Sequence, residues 1–345
     1  MKKIFPSLLL VLPALTIGTI ANTQEKASGL LFTTSSNEAK SYFSQGLKYN
    51  DLGDSRRARE AFQKATEQDP KLAVAYIYRA NNAVTPQEFA ENLKKAKENL
   101  STASDWEKLF YDFTETFLTD DFNKRLASAQ KMVAMFPDMA RSYVYLGEAY
   151  GNRKDFVQAR QNYEKAISAD PTWPMGYIAL ANSYLFEEPR DFKKVEENAN
   201  KLITLSPTAS AYILLGDAYR AQNNLQKARD NYSKAVEMDM ESPAGFYKRG
   251  HANTYLGDYE NARTDYEQAG KLDIIPAFAK QYIAFTYLYQ DDPKKALEVL
   301  MDEAEQMNQA GDDKATSAKF ELLNIAAQIA FHINDAQSLQ AIIES

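Results

Sequence analysis

The stretch LGEAYGNRKDFVQARQNYEKA, Leu146 to Ala166, returns later in the chain as LGDAYRAQNNLQKARDNYSKA, Leu215 to Ala235. Leucine, glycine, alanine and tyrosine keep their places in the first half of the stretch. Alanine, arginine, asparagine, tyrosine, lysine and alanine keep theirs in the second, while the residues between differ freely. What is preserved is a spacing, and self-similarity at a fixed period is the mark of a repeat architecture. Slid along the chain, the pattern gives units beginning near Ala39, Ala73, Trp106, Ala140, Pro174, Ala209, Pro243 and Ala277, 33 to 35 residues apart, with a ninth, shifted unit near Phe320.

Within the unit from Ala140 to Pro171, Tyr143, Leu146, Gly147 and Tyr150 follow three-four spacing, one apolar helix face. A polar turn, GNRKD, follows. Phe156, Ala159, Tyr163 and Ala166 then make a second face, and Asp170 and Pro171 stop the chain. Each unit is therefore predicted to be two antiparallel helices. Their apolar stripes are too wide to be covered within the pair, so neighbouring pairs must stack.

This pattern resembles the tetratricopeptide repeat family over roughly residues 39 to 300, carried by Gly46, Tyr49, Ala58, Phe62, Ala65 and Pro70 and by the equivalent residues of the units from Ala140, Ala209 and Pro243. The expected fold is all-α, a right-handed α-solenoid of about eight to nine stacked helix-turn-helix repeats. The units from Ala73 and Trp106 depart from the pattern, losing the alanines of their second helices, although TPQE at Thr85 and SDWE at Ser104 read as capping boxes. The expected organisation is residues 1–21 as a signal peptide, 22–38 as a linker, 39–310 as the solenoid and 311–345 as capping helices with a water-facing outer side.

The signal reading rests on Lys2 and Lys3, an apolar run from Ile4 to Ala21, and the small residues Thr19 and Ala21 before a cleavage point. An uncleaved anchor is the alternative, since the run approaches spanning length, but Pro6 and Pro13 interrupt it. The mature chain is expected to be periplasmic or secreted and not membrane-spanning. It has no cysteine, so disulfides, thiolate metal sites and lipid attachment through cysteine are excluded. A net charge of −7 and a pI near 5.2 argue against nucleic acid as a partner.

Catalytic signals are lacking. The two histidines, His251 and His332, sit in different units, and the sequence has no HExxH, GxGxxG, GxxxxGK or GxSxG. The acidic pairs Asp120/Asp121, Asp291/Asp292 and Asp312/Asp313 fall in turns, where carboxylates cap helices. Thirteen of the 21 tyrosines occupy packing places of the repeat. No enzyme activity, metal or cofactor is expected. A catalytic reading would need an acid pair inside the groove, such as Glu148 with Asp217.

The resemblance implies that residues of each first helix outside the packing set line a concave face. In the unit from Ala140 these include Val144 and Glu148; from Pro174, Met175, Ile178, Asn182 and Phe186; and from Ala209, Ile213, Asp217 and Arg220. The unit from Pro243 adds Tyr247, His251 and Tyr255, and that from Ala277 adds Phe278, Gln281, Phe285 and Tyr289. Such a face is a partner-binding groove, apolar and aromatic, or else is buried inside a tightly wound superhelix. His251 is expected to be a polar contact and His332 helix-packing filler. A lysine-based clamp for a terminal carboxylate is not expected, because the fifth places read Phe43, Ile77, Val144, Ile178, Ile213, Tyr247 and Gln281. The function expected is a non-catalytic scaffold or adaptor for a protein or extended peptide in the cell envelope. The alternative is a self-assembling or envelope-complex subunit that uses its end helices.

Overall fold

Small residues of the first helices set how close the two helices of a unit come. A Cβ on Gly147 would stand 2.3 Å from the Tyr163 ring, and one on Gly216 2.4 Å from the Tyr232 ring. The glycines are gaps that the second-helix aromatic fills, which brings the pair into contact along its whole length. The computed structural model describes residues 32–273, 277–308 and 313–344. The export signal expected at residues 1–21 lies outside them, as do residues 22–31 of the expected linker.

The described residues form eighteen α-helices and no strand, a right-handed solenoid of stacked helical hairpins. In chain order the helices of the first four pairs are α1 (Asn37–Asp51) and α2 (Ser55–Gln68), α3 (Ala73–Asn81) and α4 (Pro86–Glu98), α5 (Asp105–Glu115) and α6 (Phe122–Met135), α7 (Ala140–Asn152) and α8 (Phe156–Ala169). There follow α9 (Pro174–Phe186) and α10 (Phe192–Leu205), α11 (Ala209–Ala221) and α12 (Leu225–Met238), α13 (Pro243–Tyr255) and α14 (Tyr259–Leu272). The array ends with α15 (Ala277–Tyr289), α16 (Pro293–Asn308), α17 (Asp313–His332) and α18 (Ala336–Glu344). None of them is long and apolar enough to cross a membrane.

Among the described residues, seven of the nine turns within the pairs share one construction. A residue in the left-handed region precedes the N-cap: Asp120 (φ 50°) before Asp121, Asp291 (φ 59°) before Asp292, Gly53 (φ 76°) before Asp54. The cap then accepts from the third helical amide, Asp121 from Lys124 at 2.9 Å and Asp292 from Lys295 at 3.0 Å. The acidic pairs are thus a turn residue followed by a cap. Asp312 of the third pair lies outside the described residues. Of the two capping boxes, Ser104 forms both bonds with Glu107, whereas Glu88 reaches past Thr85 to the amide of Val84.

The two departing units hold much of the core. Trp106, Phe110, Phe113 and Tyr78 are buried, and rings run in contact from Phe43 through Tyr78 and Phe110 to Tyr145 at centroid spacings of 5.0 to 5.7 Å. The aromatic residues of these units' first helices supply that core, while Asn92, Arg125 and Met132 stand buried in the places of the second-helix alanines. The last linker residues are docked as well: the Phe32 ring lies 4.6 Å from that of Phe43, and the Thr34 hydroxyl donates to Asp69 at 2.6 Å.

The superhelix is wound tightly enough for the first unit to touch the middle of the array. Asp51, at the end of α1, pairs with Arg141 of α7 and accepts from the Trp173 indole at 2.9 Å. Beyond it, the Ser210 hydroxyl donates to the Gly53 carbonyl, and Arg56 meets Glu241 at 2.9 Å. The concave face of the middle units is therefore partly covered by the chain's own first turn.

Candidate functional site

Two cavities open on the expected groove, one toward each end of the array. The one toward the C-terminal end has a volume of about 370 Å³ and is built from the inward faces of α11, α13, α14 and α15. Five expected residues line it, namely Arg220, His251, Tyr255, Phe285 and Tyr289, together with Thr254, Tyr266 and Tyr282. Tyr255 and Tyr289 are 58% and 59% exposed at its mouth, while Tyr266 is buried at its base.

The polar groups of this cavity are fixed by neighbours. His251 Nδ1 shares a 2.8 Å hydrogen bond with the Tyr266 hydroxyl, and its ring lies edge-on to Tyr282 at 4.5 Å. Burial, and then the charges of Lys248 and Arg220, hold the imidazole down to about 4, so it is neutral at physiological pH and acts as a polar contact. Asp217 is not a groove residue. It is buried, accepts from Tyr232 at 2.7 Å and from Lys248 at 2.9 Å, and lies 3.7 Å from the Arg220 guanidinium. One carboxylate between two cations leaves the wall of the cavity net positive.

The second cavity, of about 420 Å³, opens toward the N-terminal half and takes Val144, Glu148 and Met175 from the expected set. Its other walls include Phe113, Phe117, Tyr145 and Trp173. Val144 is 2% exposed and packs with Trp173 and Leu180, so it is core that shows one edge to the cavity and not a free binding residue. Glu148 is half-buried, and burial pushes its carboxyl up to about 7 against the weaker pull of Arg125. Glu148 and Asp217 do not form a pair: Glu148 faces this cavity, and Asp217 is engaged by Tyr232, Lys248 and Arg220.

The remaining expected residues line neither cavity. Tyr247 is half-buried against Tyr266 and Tyr282 with its hydroxyl on Asp273 at 2.8 Å, which makes it packing. Ile178 packs onto the core of α9 to α11, and Ile213 and Gln281 are half-buried. Asn182, Phe186 and Phe278 are exposed. His332, the last residue of α17, is exposed and not filler.

Three of the lining residues that sequence reasoning missed share a place. Tyr78, Tyr145 and Tyr282 are each the sixth residue of their units, one step past the fifth place taken for the concave face. Their recurrence in three units was the available signal.

Comparison with known proteins places the repeats in sequence. The description "Tetratricopeptide repeat" matches residues 39–72, 140–172 and 244–273, and "TPR repeat" matches residues 216–254. The chain is 26% identical over 216 residues to Superkiller protein 3 of Schizosaccharomyces pombe, covering 59% of this chain and 16% of that protein. It is 22% identical over 231 residues to the mitochondrial import receptor subunit TOM70 of Homo sapiens, covering 63% of this chain and 38% of that protein. The chain thus spans well under half the length of these curated relatives. The crystal structure of yeast Tom70 superposes with a TM-score of 0.59 at 19% identity, covering 90% of this chain and 68% of that one, a likeness of fold.

Proposed function

On the premise that the chain carries tetratricopeptide repeats in a right-handed solenoid, we propose that it is a non-catalytic adaptor that binds an extended segment of a partner protein along its concave face. The observation that carries this reading is the C-terminal cavity. Two successive first helices, α13 and α15, present exposed Tyr255 and Tyr289 and half-buried Phe285 around a fixed polar floor. Solvent-facing aromatics around a concavity are the usual anchors of a recognition site, because they bury large area at little entropic cost. A relative named as a mitochondrial import receptor subunit supports a partner-binding role by analogy.

The test is a crosslinking pull-down with the mature protein against the Tyr255→Ala/Tyr289→Ala double variant. Both side chains are more than half exposed, so helicity and melting should hold while a specific partner is lost. An unchanged partner list would remove the cavity from the binding site.

The proposal includes export: Lys2, Lys3 and the apolar run to Ala21 support removal of residues 1–21 and a mature start near Asn22. Finding Met1 to Ala21 intact on protein extracted from membranes would refute it.

A second reading has its own observation. The end helices were expected to turn a polar side to water, yet Phe320, Phe331 and Ile343 on α17 and α18 are among the most exposed large apolar side chains. Self-association through this end is read by light scattering across concentration; a constant monomer mass would exclude it.

A further inference from the structure

Charges removed from water are normally paired, because leaving one unpaired costs several kcal/mol. Glu148, half-buried at the edge of the second cavity, departs from that pattern in part. Its carboxyl lines the 420 Å³ cavity, and no donor bonds to it among the described residues.

The nearby cations are committed elsewhere. Arg125 donates to the Thr116 hydroxyl at 2.9 Å and the Thr116 carbonyl at 3.0 Å, with its guanidinium 3.7 Å over the Phe117 ring centroid. Arg141 is bound to Asp51 and lies 4.8 Å over Trp173. Both arginines thus strengthen the cavity's scaffold, and Arg125 attracts Glu148 by charge alone, without a hydrogen bond to it. Around the carboxyl stand the rings of Phe113, Phe117, Tyr145 and Trp173. A carboxylate that accepts no hydrogen bond, in a cavity lined with aromatic side chains, suits an organic cation, held by the charge and by apolar contact of its carbon chain with the walls.

We infer that this cavity takes the ammonium end of a lysine side chain carried by the bound partner segment. The inference rests on the concave-face reading above and adds to it a charge preference at one position. The two cavities then select opposite chemistry along one face: Arg220 and Lys248 share the single carboxylate of Asp217 at the C-terminal end, and Glu148 awaits a cation at the N-terminal end.

The probe is n-butylammonium, the end of a lysine side chain, titrated into the full chain at pH 8, with butanol and butyrate as controls. The reporter is the Trp173 indole N–H resonance, since that ring forms part of the wall, with the fully buried Trp106 as internal reference. Butylammonium should shift the Trp173 signal saturably in the millimolar range, the two controls should not, and Glu148→Gln should weaken the response at least about tenfold. An equal response to butanol, or none to any probe, would overturn the inference.

A second arm selects a random peptide library on the wild-type chain and on Glu148→Gln. Enrichment of lysine that is lost in the variant supports the inference. Peptides enriched without basic residues overturn it while leaving the concave-face reading standing. A butylammonium response with no peptide captured by either chain overturns the peptide as bearer of the cation and, with it, that reading.

Discussion

Glu148 and His251 are shifted in opposite directions and so pull stability in opposite directions with pH. Glu148 is raised from 4.5 to about 7 by burial, so the folded chain holds its proton more tightly than the unfolded chain does. Its contribution is fully favourable below 4.5 and is lost as pH rises through about 7. His251 is lowered from 6.5 to about 4, so its contribution is present above 6.5 and is lost as pH falls through about 4. Replacing Glu148 by Gln removes the first effect alone. The variant should be more stable than wild type at pH 8 by up to about 3 kcal/mol and nearly equal to it at pH 4, measured by denaturant unfolding. A loss of stability at pH 8 would mean that the carboxylate has a favourable partner in the folded chain. At this scale the sequence was only half legible. It placed Glu148 and His251 on the inner face, but a shift depends on what surrounds a group, and the Tyr145 and Tyr282 rings came from the sixth place that the repeat rule passes over.

At the scale of the element, the turns were readable because capping is local: an acid pair followed by a helix start needs no tertiary information. The staples between neighbouring units were not. Arg160 of α8 donates to the Ser183 hydroxyl and carbonyl and to the Glu187 carbonyl at 2.8 to 3.1 Å, satisfying the free end of α9 in the next unit, and it stacks 4.4 Å from the Tyr184 ring centre. Arg263 of α14 reaches Thr286 of α15 at 3.1 Å in the same manner. Arg160→Ala should cost about 1 to 3 kcal/mol by leaving those acceptors without a donor. Arg160→Lys should recover little of it, since an ammonium cannot serve three acceptors in one plane. Full recovery by lysine would assign the role to charge rather than to the fork of donors.

For the whole molecule, the period dictated a stack of hairpins, and the structure is that stack. How far the stack winds was not legible, because the superhelix sums a small rotation at each interface and no single unit encodes the total. The open-groove and buried-face readings of the sequence each hold in part, with the middle covered by the first unit and a cavity on either side. Asp51 carries that closure. Asp51→Ala should cost about 3 to 5 kcal/mol by stranding the buried Arg141 charge, and should enlarge the radius of gyration in X-ray scattering. Asp51→Ala with Arg141→Met should regain most of the stability but not the compactness. An unchanged radius in both variants would mean that Arg56 and Ser210 hold the first unit without it.

The contact between the first turn and the sixth unit also changes what the covalent chain has to do. In an open array each unit is tied only to its neighbours, so the pieces on either side of a cut are held by the interface at the cut alone. Here a cut at the exposed insert Glu188–Arg190 would leave fragments joined across the cut by α9 against α10 and, far from it, by Gly53 to Ser210 and by Arg56 to Glu241. The solenoid behaves as a clasped bracelet: two halves made as separate chains carry, in their own surfaces, the means to find each other.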